Sequence, residues 1–319
     1  MVRTGERLTY VPLVFALTKN PLTRRVLRPA AALVDRRVAR HTKALRPEID
    51  ALRKEVAALR GEHSSLSLLV DGTARSGPRT PTPDQLDTLV RQVARVTGAS
   101  PAQARRNVVI AFRNVIALEM LAVGRLAGST QNICGKLAAT PLLVPADRTD
   151  VLEIGTLYGL FSASLLRMLH RAGIEPSLTI VDPLAGGQLQ PGTPEGPDPT
   201  GTPVRMDVVR ANLAFGGAAG GGARIVRGFS GDEEVRARVS DRAYGVIVVD
   251  GDHSAEGVRA DLEWAEEIAA PGGVVVVDDY GDARWEHVKR AADAHLARPG
   301  SRFDLLGTVS TSAFLRAAA

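Results

Sequence analysis

The chain has 319 residues, of which 45% are hydrophobic, 24% charged and only 4% aromatic, with a formal net charge of +5. That composition supports a packed core and excludes a collagen-like chain, a repeat array and wholesale disorder. The single cysteine, Cys134, excludes an internal disulfide and a cysteine-built zinc site.

The first apolar stretch, Tyr10 to Leu17, is far shorter than the ~20 residues a bilayer span needs, and no small-residue cleavage site follows it. A cytoplasmic protein without a membrane span is expected. Residues 1–62 carry 14 Lys/Arg against 6 Asp/Glu, whereas the remainder carries 26 against 29. With no interleaved aromatics and no nucleic-acid motif, this basic arm reads as solvated helix faces, and no nucleic-acid partner is expected.

Within residues 1–70, Val38, Leu45, Ile49, Leu52, Val56 and Leu59 fall at spacings of 7, 4, 3, 4 and 3, the a/d seam of a short coiled coil. Pro47 is expected to interrupt the helix and Gly61 to end it. The seam predicts either a homo-oligomer formed through these helices or packing within the subunit. Residues 71–83 (DGTARSGPRTPTP) read as a linker. Residues 84–128 form a helical region: one helix over about 84–96, then one opening at Ser100-Pro101, an N-cap and N1 pair, and running to about Leu126. Its apolar faces predict packing on itself, on the main domain or on another subunit.

From Asp150 the texture changes to β-branched runs alternating with amphipathic segments, the pattern of a parallel sheet covered by helices. Strands are predicted over 150–154, 178–182, 223–227, 245–250 and 273–278, and helices over 160–172, 204–214, 232–239, 255–270 and 285–297. Two tail strands, 303–309 and 312–316, are joined by a turn too short for a crossover and must pair antiparallel. The fold class is therefore α/β, a Rossmann-like sheet of five parallel strands plus a C-terminal antiparallel hairpin, with a helical N-terminal extension and residues 129–319 as the catalytic domain.

The first strand runs into Glu153-Ile-Gly155-Thr156-Leu-Tyr-Gly159-Leu-Phe-Ser162, an acid followed by a glycine-bearing turn that lets backbone approach a ligand. Leu157 replaces the middle glycine of the dinucleotide fingerprint, which weakens a pyrophosphate reading. The second strand ends at Asp182, placed to accept hydrogen bonds from ribose hydroxyls. Strand four closes on Asp250-Gly-Asp-His253-Ser and strand five on Asp278-Asp279, so carboxylates on neighbouring strand ends can share one cation, for which hard oxygen ligands suit Mg²⁺.

Glu-Ile-Gly in the first motif, Asp-Gly-Asp-His-Ser in the fourth and Pro271-Gly-Gly-Val before the fifth strand resemble a class I S-adenosylmethionine-dependent O-methyltransferase. The metal-dependent branch is the nearest match, with its catechol-type and macrocin/mycinamicin-type sugar enzymes. The resemblance covers about residues 129–319. It implies that Glu153, Gly155 and Gly159 line the methionine and ribose part of S-adenosylmethionine, with Thr156 and Ser162 also binding cofactor, Asp182 holding the ribose hydroxyls and Ser230 meeting adenine. It further implies Asp250, Asp278 and Asp279 as Mg²⁺ ligands and His253, beside Asp250, as general base, since catechol enzymes carry Lys at that place and sugar-modifying relatives His. The acceptor is expected to be a hydroxyl of a small molecule, a sugar, polyketide or other natural product.

Two rivals stay open on the motifs alone, a nicotinamide-dependent oxidoreductase on a similar sheet and a non-catalytic methyltransferase-like scaffold. Residues 184–203, rich in Gly and Pro, are expected to form either a substrate lid or a tolerated insertion. Cys134, with no paired base in view, is expected to be a small buried hydrophobe.

Overall fold

Short runs of Val, Ile and Leu form one seven-stranded sheet, and every residue of its central strands β1 (Val151–Ile154), β2 (Leu178–Asp182) and β4 (Tyr244–Val249) is buried. The computed structural model describes residues 21–70, 79–189, 198 and 201–318. The sheet adds β3 (Arg224–Arg227), β5 (Ala269–Val277), β6 (Phe303–Val309) and β7 (Ser312–Ala317) in the order β3-β2-β1-β4-β5-β7-β6. β1 to β5 are parallel, and β7 runs antiparallel between β5 and β6. The strand order reverses between β1 and β4, the place where a doubly wound sheet opens a crevice at its carboxyl ends.

Alternate residues of each strand feed two cores. On one face Val151, Ile180, Val246, Val274 and Val276 join residues of the helices α2 (Pro83–Thr97), α3 (Pro101–Leu121), α4 (Thr130–Ala139) and α5 (Leu160–Arg171). On the other, Leu152, Ile154, Ile247, Val249 and Val275 meet α8 (Glu233–Val239), α9 (Ala255–Ile268) and α10 (Glu286–Leu296). The remaining helices, α6 (Met206–Leu213) and the single turn α7 (Ala218–Gly221), lie between β2 and β3 in the chain. The helices of residues 84–128 pack on each other and on the sheet, whose core α2 and α3 share.

The chain divides into two compact units, Met1–Leu66 and Ser67–Ala319. Most of the first is the helix α1 (Pro21–Val70), which runs through Pro29, Pro47 and Gly61. The break expected at Pro47 does not occur: the helix continues through it, with the lost hydrogen bond and the clash of the ring with the i−4 carbonyl as its local cost. The seam residues Leu45, Ile49, Leu52, Val56 and Leu59 are all exposed.

Of the expected linker, residues 71–78 lie outside the described residues, but its end is firmly held. Arg79 is 1% exposed and forms a bidentate pair with Glu119 through Nε and Nη2, both 2.7 Å from a carboxylate oxygen. It also donates to Thr130 Oγ1 at 3.0 Å and to the Leu126 carbonyl at 2.7 Å, so one side chain ties α3 to the start of α4. α3 ends at Leu121, earlier than its pattern suggests, and Glu119 Oε1 then accepts from the Leu126 amide. Removing one partner of a buried pair leaves the other charge uncompensated, so Arg79→Met is expected to cost about 3–5 kcal/mol of stability, measured by chemical denaturation.

Candidate active site

The turn between β1 and α5 is shaped by close backbone approach. Gly155 has φ +83°, and a Cβ there would lie 2.2 Å from the Asp250 carbonyl oxygen at the end of β4, so only glycine lets the two strand ends close. Leu157 holds a left-handed φ of +54° where the dinucleotide fingerprint has glycine. Its amide is held at 3.1 Å by Asp182 Oδ2, which also accepts from the Thr156 amide at 2.7 Å, while Asp182 Oδ1 accepts from Leu184 at 2.7 Å. The acid at the end of β2 therefore fixes the glycine turn beside it, a duty its position alone did not announce.

Glu153 is buried, and its carboxylate accepts from Ser162 at 2.6 Å and from the Thr156 hydroxyl. Burial pushes its carboxyl up to about 7 against those two hydrogen bonds. Gly159 serves packing: a Cβ there would press at 3.1 Å on Val209 of α6. A cavity of about 390 Å³ opens above the turn, lined by Glu153, Gly155, Thr156, Asp182, Ser230 and Asp250 among others. Gly159, Ser162, His253, Asp278 and Asp279 are not in its wall.

Of the segment 184–203, residues 190–197, 199 and 200 lie outside the described residues. Its flanks are pinned to the cavity rim: Gly186 bridges Val204, the Tyr158 hydroxyl donates to the Thr202 carbonyl at 2.6 Å, and Arg125 pairs with buried Asp198 at 2.9 Å. Arg125 and Gln188 both line the cavity.

The ends of β4 and β5 bring Asp250, Asp278 and Asp279 together with a residue that the motifs did not single out. Lys136 on α4 is 2% exposed, and its Nζ lies 2.6 Å from Asp278 Oδ2 and 3.3 Å from Asp250 Oδ2. The other oxygen of Asp278 accepts from Asn132 Nδ2 at 2.6 Å and has Ser312 Oγ at 2.7 Å. Burial works against ionisation of Asp278, but the Lys136 charge and hydrogen bonds from Asp250, Lys136 and Ser312 outweigh it and hold that carboxyl below the usual carboxylate range. Burial and the Asp278 charge drive Asp250 well above that range and push Asp279 up to about 7. Lys136 is also buried, yet Asp250 and Asp278 hold its ammonium above the ordinary lysine range.

This donor set does not fit the Mg²⁺ that the resemblance implies. An ammonium stands between Asp278 and Asp250, and the free side of Asp278 is taken by Asn132 and Ser312. Among the described residues no three His, Cys, Asp or Glu side chains are grouped to hold a metal ion. The carboxylates were legible as strand ends, whereas Lys136 was not, because the helical repeat of residues 130–139 carries little polarity contrast and all but one of its residues are buried. Cys134 on the same helix is buried and its thiol is pushed up by that burial, which makes it inert packing.

His253 follows β4 and is 6% exposed. Its ring stacks on Trp285 with centroids 4.7 Å apart, and Nε2 lies 3.4 Å from Asp279 Oδ2 and 3.9 Å from Asp250 Oδ1. Neither ring nitrogen has a hydrogen-bond partner among the described residues. Burial lowers its pKa from the ordinary histidine value, more than the Asp278 charge raises it, which keeps the imidazole neutral near pH 7.

A parallel sheet that reverses order beside a glycine turn, an acid inside the first strand, another closing the second and a cavity between them are the features of the class I methyltransferase fold. Residues 152–280 match the family model of a methyltransferase domain, so this part of the chain is a methyltransferase domain. The nicotinamide reading is thereby set aside. Among solved structures, cofactor-bound Rv0187 from MTB is 22% identical, with a TM-score of 0.42 over 75% of this chain and 98% of that one. An O-methyltransferase from Bacillus cereus in complex with SAH is 16% identical, with a TM-score of 0.41 over 74% and 99%. TomG from Streptomyces achromogenes, an O-methyltransferase involved in tomaymycin synthesis, is 18% identical, with a TM-score of 0.42 over 66% and 89%. No curated protein sequence matches the chain significantly.

Asp182→Ala removes the acceptor for three backbone amides at and beside the glycine turn. It is expected to lower the affinity for S-adenosylhomocysteine at least ~10-fold, about 1.4 kcal/mol, in a calorimetric titration.

Proposed function

We propose that the protein transfers the methyl group of S-adenosylmethionine to a hydroxyl oxygen of a small molecule, a sugar, polyketide or other natural product, with His253 as general base. The observation that carries this reading is the buried imidazole of His253, whose two ring nitrogens have no hydrogen-bond partner among the described residues and which sits one residue beyond the cavity-lining Asp250-Gly-Asp segment. A neutral imidazole near its working pH is suited to take a hydroxyl proton. Trp285 fixes the ring plane, and Asp279, 3.4 Å from Nε2, stands where it can accept from the imidazolium that forms.

The chain supplies the proton acceptor of the step, and the sulfonium donor supplies the methyl group and the leaving group. The acceptor oxygen gives its proton to His253 and attacks the sulfonium methyl carbon in line; the carbon–sulfur bond breaks toward sulfur, leaving a methyl ether and S-adenosylhomocysteine. Such a displacement depends chiefly on alignment, for which the closed ends of β1 and β4 and the Asp182-held turn provide a rigid seat. On this reading Glu153, Gly155 and Thr156 meet the methionine and ribose part of the cofactor, Asp182 adds the ribose hydroxyls to its amides, and Ser230 meets adenine. A cavity of about 390 Å³ is in the range of small-molecule sites. No described helix is long and apolar enough to cross a membrane, which accords with a cytoplasmic enzyme.

His253→Ala is expected to lower methylation of a hydroxylated acceptor by about 10²–10⁴-fold while leaving S-adenosylhomocysteine affinity within a factor of about two. Full turnover in that variant, assayed by S-adenosylhomocysteine release across an acceptor panel, refutes the base assignment. The exposed seam of α1 supports self-association through the N-terminal helices. Ile49→Glu with Leu52→Glu in the full-length chain is expected to reduce the mass seen by light scattering to that of a monomer, and an unchanged mass rules out the seam.

A further inference from the structure

One buried cation has no duty in the methyl-transfer step as drawn. Lys136 reaches from α4 into the carboxylate cluster, 2.6 Å from Asp278 and 3.3 Å from Asp250, with its Nζ 4.7 Å from the centre of the Phe161 ring. An ammonium carries three N–H donors and is costly to bury unless they are satisfied. The two carboxylates account for two of them, and Lys136 is also part of the cavity wall.

We infer that Lys136 is the resident cation of this cluster, filling the place between Asp278 and Asp250 that a divalent ion would take, and that its ammonium is the positive group presented to the acceptor oxygen. The second half of this inference rests on the hydroxyl-methylation reading above; the first half stands on the cluster alone. Three carboxyl groups crowded at two strand ends repel one another, and a counter-charge at their centre relieves that repulsion. Mg²⁺ requires near-octahedral oxygen ligation and gives up its water reluctantly. Asp278 offers it neither oxygen, since one meets the ammonium and the other meets Asn132 and Ser312.

The ammonium differs from a metal ion in what it does to the reaction. It keeps its proton throughout, donates a hydrogen bond to the acceptor oxygen as negative charge develops there, and leaves proton removal to His253. Its strength is set by geometry and not by the concentration of an ion in solution.

The test is a Mn²⁺ titration of the full-length protein in the presence of S-adenosylhomocysteine, with bound ion read by electron paramagnetic resonance, for wild type, Lys136→Met and Lys136→Met with Asp278→Asn. Wild type is expected to bind no stoichiometric Mn²⁺ at millimolar concentration. Lys136→Met is expected to gain one site, and the added Asp278→Asn to abolish it. Stoichiometric binding by wild type that Asp278→Asn removes overturns the inference, as does a folded Lys136→Met protein that still binds none. Should Lys136→Met not fold, Lys136→Gln replaces it, and the wild-type titration alone still overturns the inference if an ion binds. No acceptor enters the measurement, so a failure to find hydroxyl methylation would leave this result to be judged separately.

Discussion

A parallel sheet buried on both faces has nowhere to put polar side chains except its strand ends, and the organisation of this molecule follows from that constraint. Val151 to Ile154, Leu178 to Val181 and Tyr244 to Val249 are buried throughout, and the acids Asp182, Asp250 and Asp278 stand at or just beyond the strands' carboxyl ends. Glu153 is the exception, an acid inside β1, and Ser162 and Thr156 supply the hydrogen bonds its burial demands. Concentrating carboxylates at one edge of a low-dielectric core, beside the cavity, creates an electrostatic problem.

The molecule meets that problem in two ways. Where backbone amides are at hand, as around Asp182, three N–H groups surround one carboxylate and the acid becomes a clamp on the glycine turn. At the ends of β4 and β5, a lysine on α4 inserts its ammonium between Asp250 and Asp278. A helix that precedes the sheet in the chain thus completes the carboxylate cluster at its strand ends. The Arg79 network holds α3 against the start of α4, and through it the placement of Lys136 depends on residues that touch no ligand.

The α/β class, the antiparallel tail and most element boundaries were legible because they rest on local periodicity: the strands 178–182 and 303–309 are found where their alternation places them. The glycine turn and the acids after strands two, four and five were legible for the same reason, since each is a short motif attached to a recognisable strand. Helix α4 was not, because a nearly all-buried helix lacks the polar face that marks an amphipathic one. The continuation of α1 through Pro47 departs from the local rule that a proline interrupts a helix.

The sequence by itself determined the order of strands and helices, the glycine at position 155 and the carboxylates at the strand ends, since each follows from a few neighbouring residues and their backbone preferences. Only the tertiary structure decided what those carboxylates face. Lys136 and Asp250 are 114 positions apart, and Asn132 and Ser312 are 180 apart. Their meeting depends on α4 packing against a sheet whose strand order no local pattern encodes, and that packing determines whether the acids surround an ammonium or an open metal site.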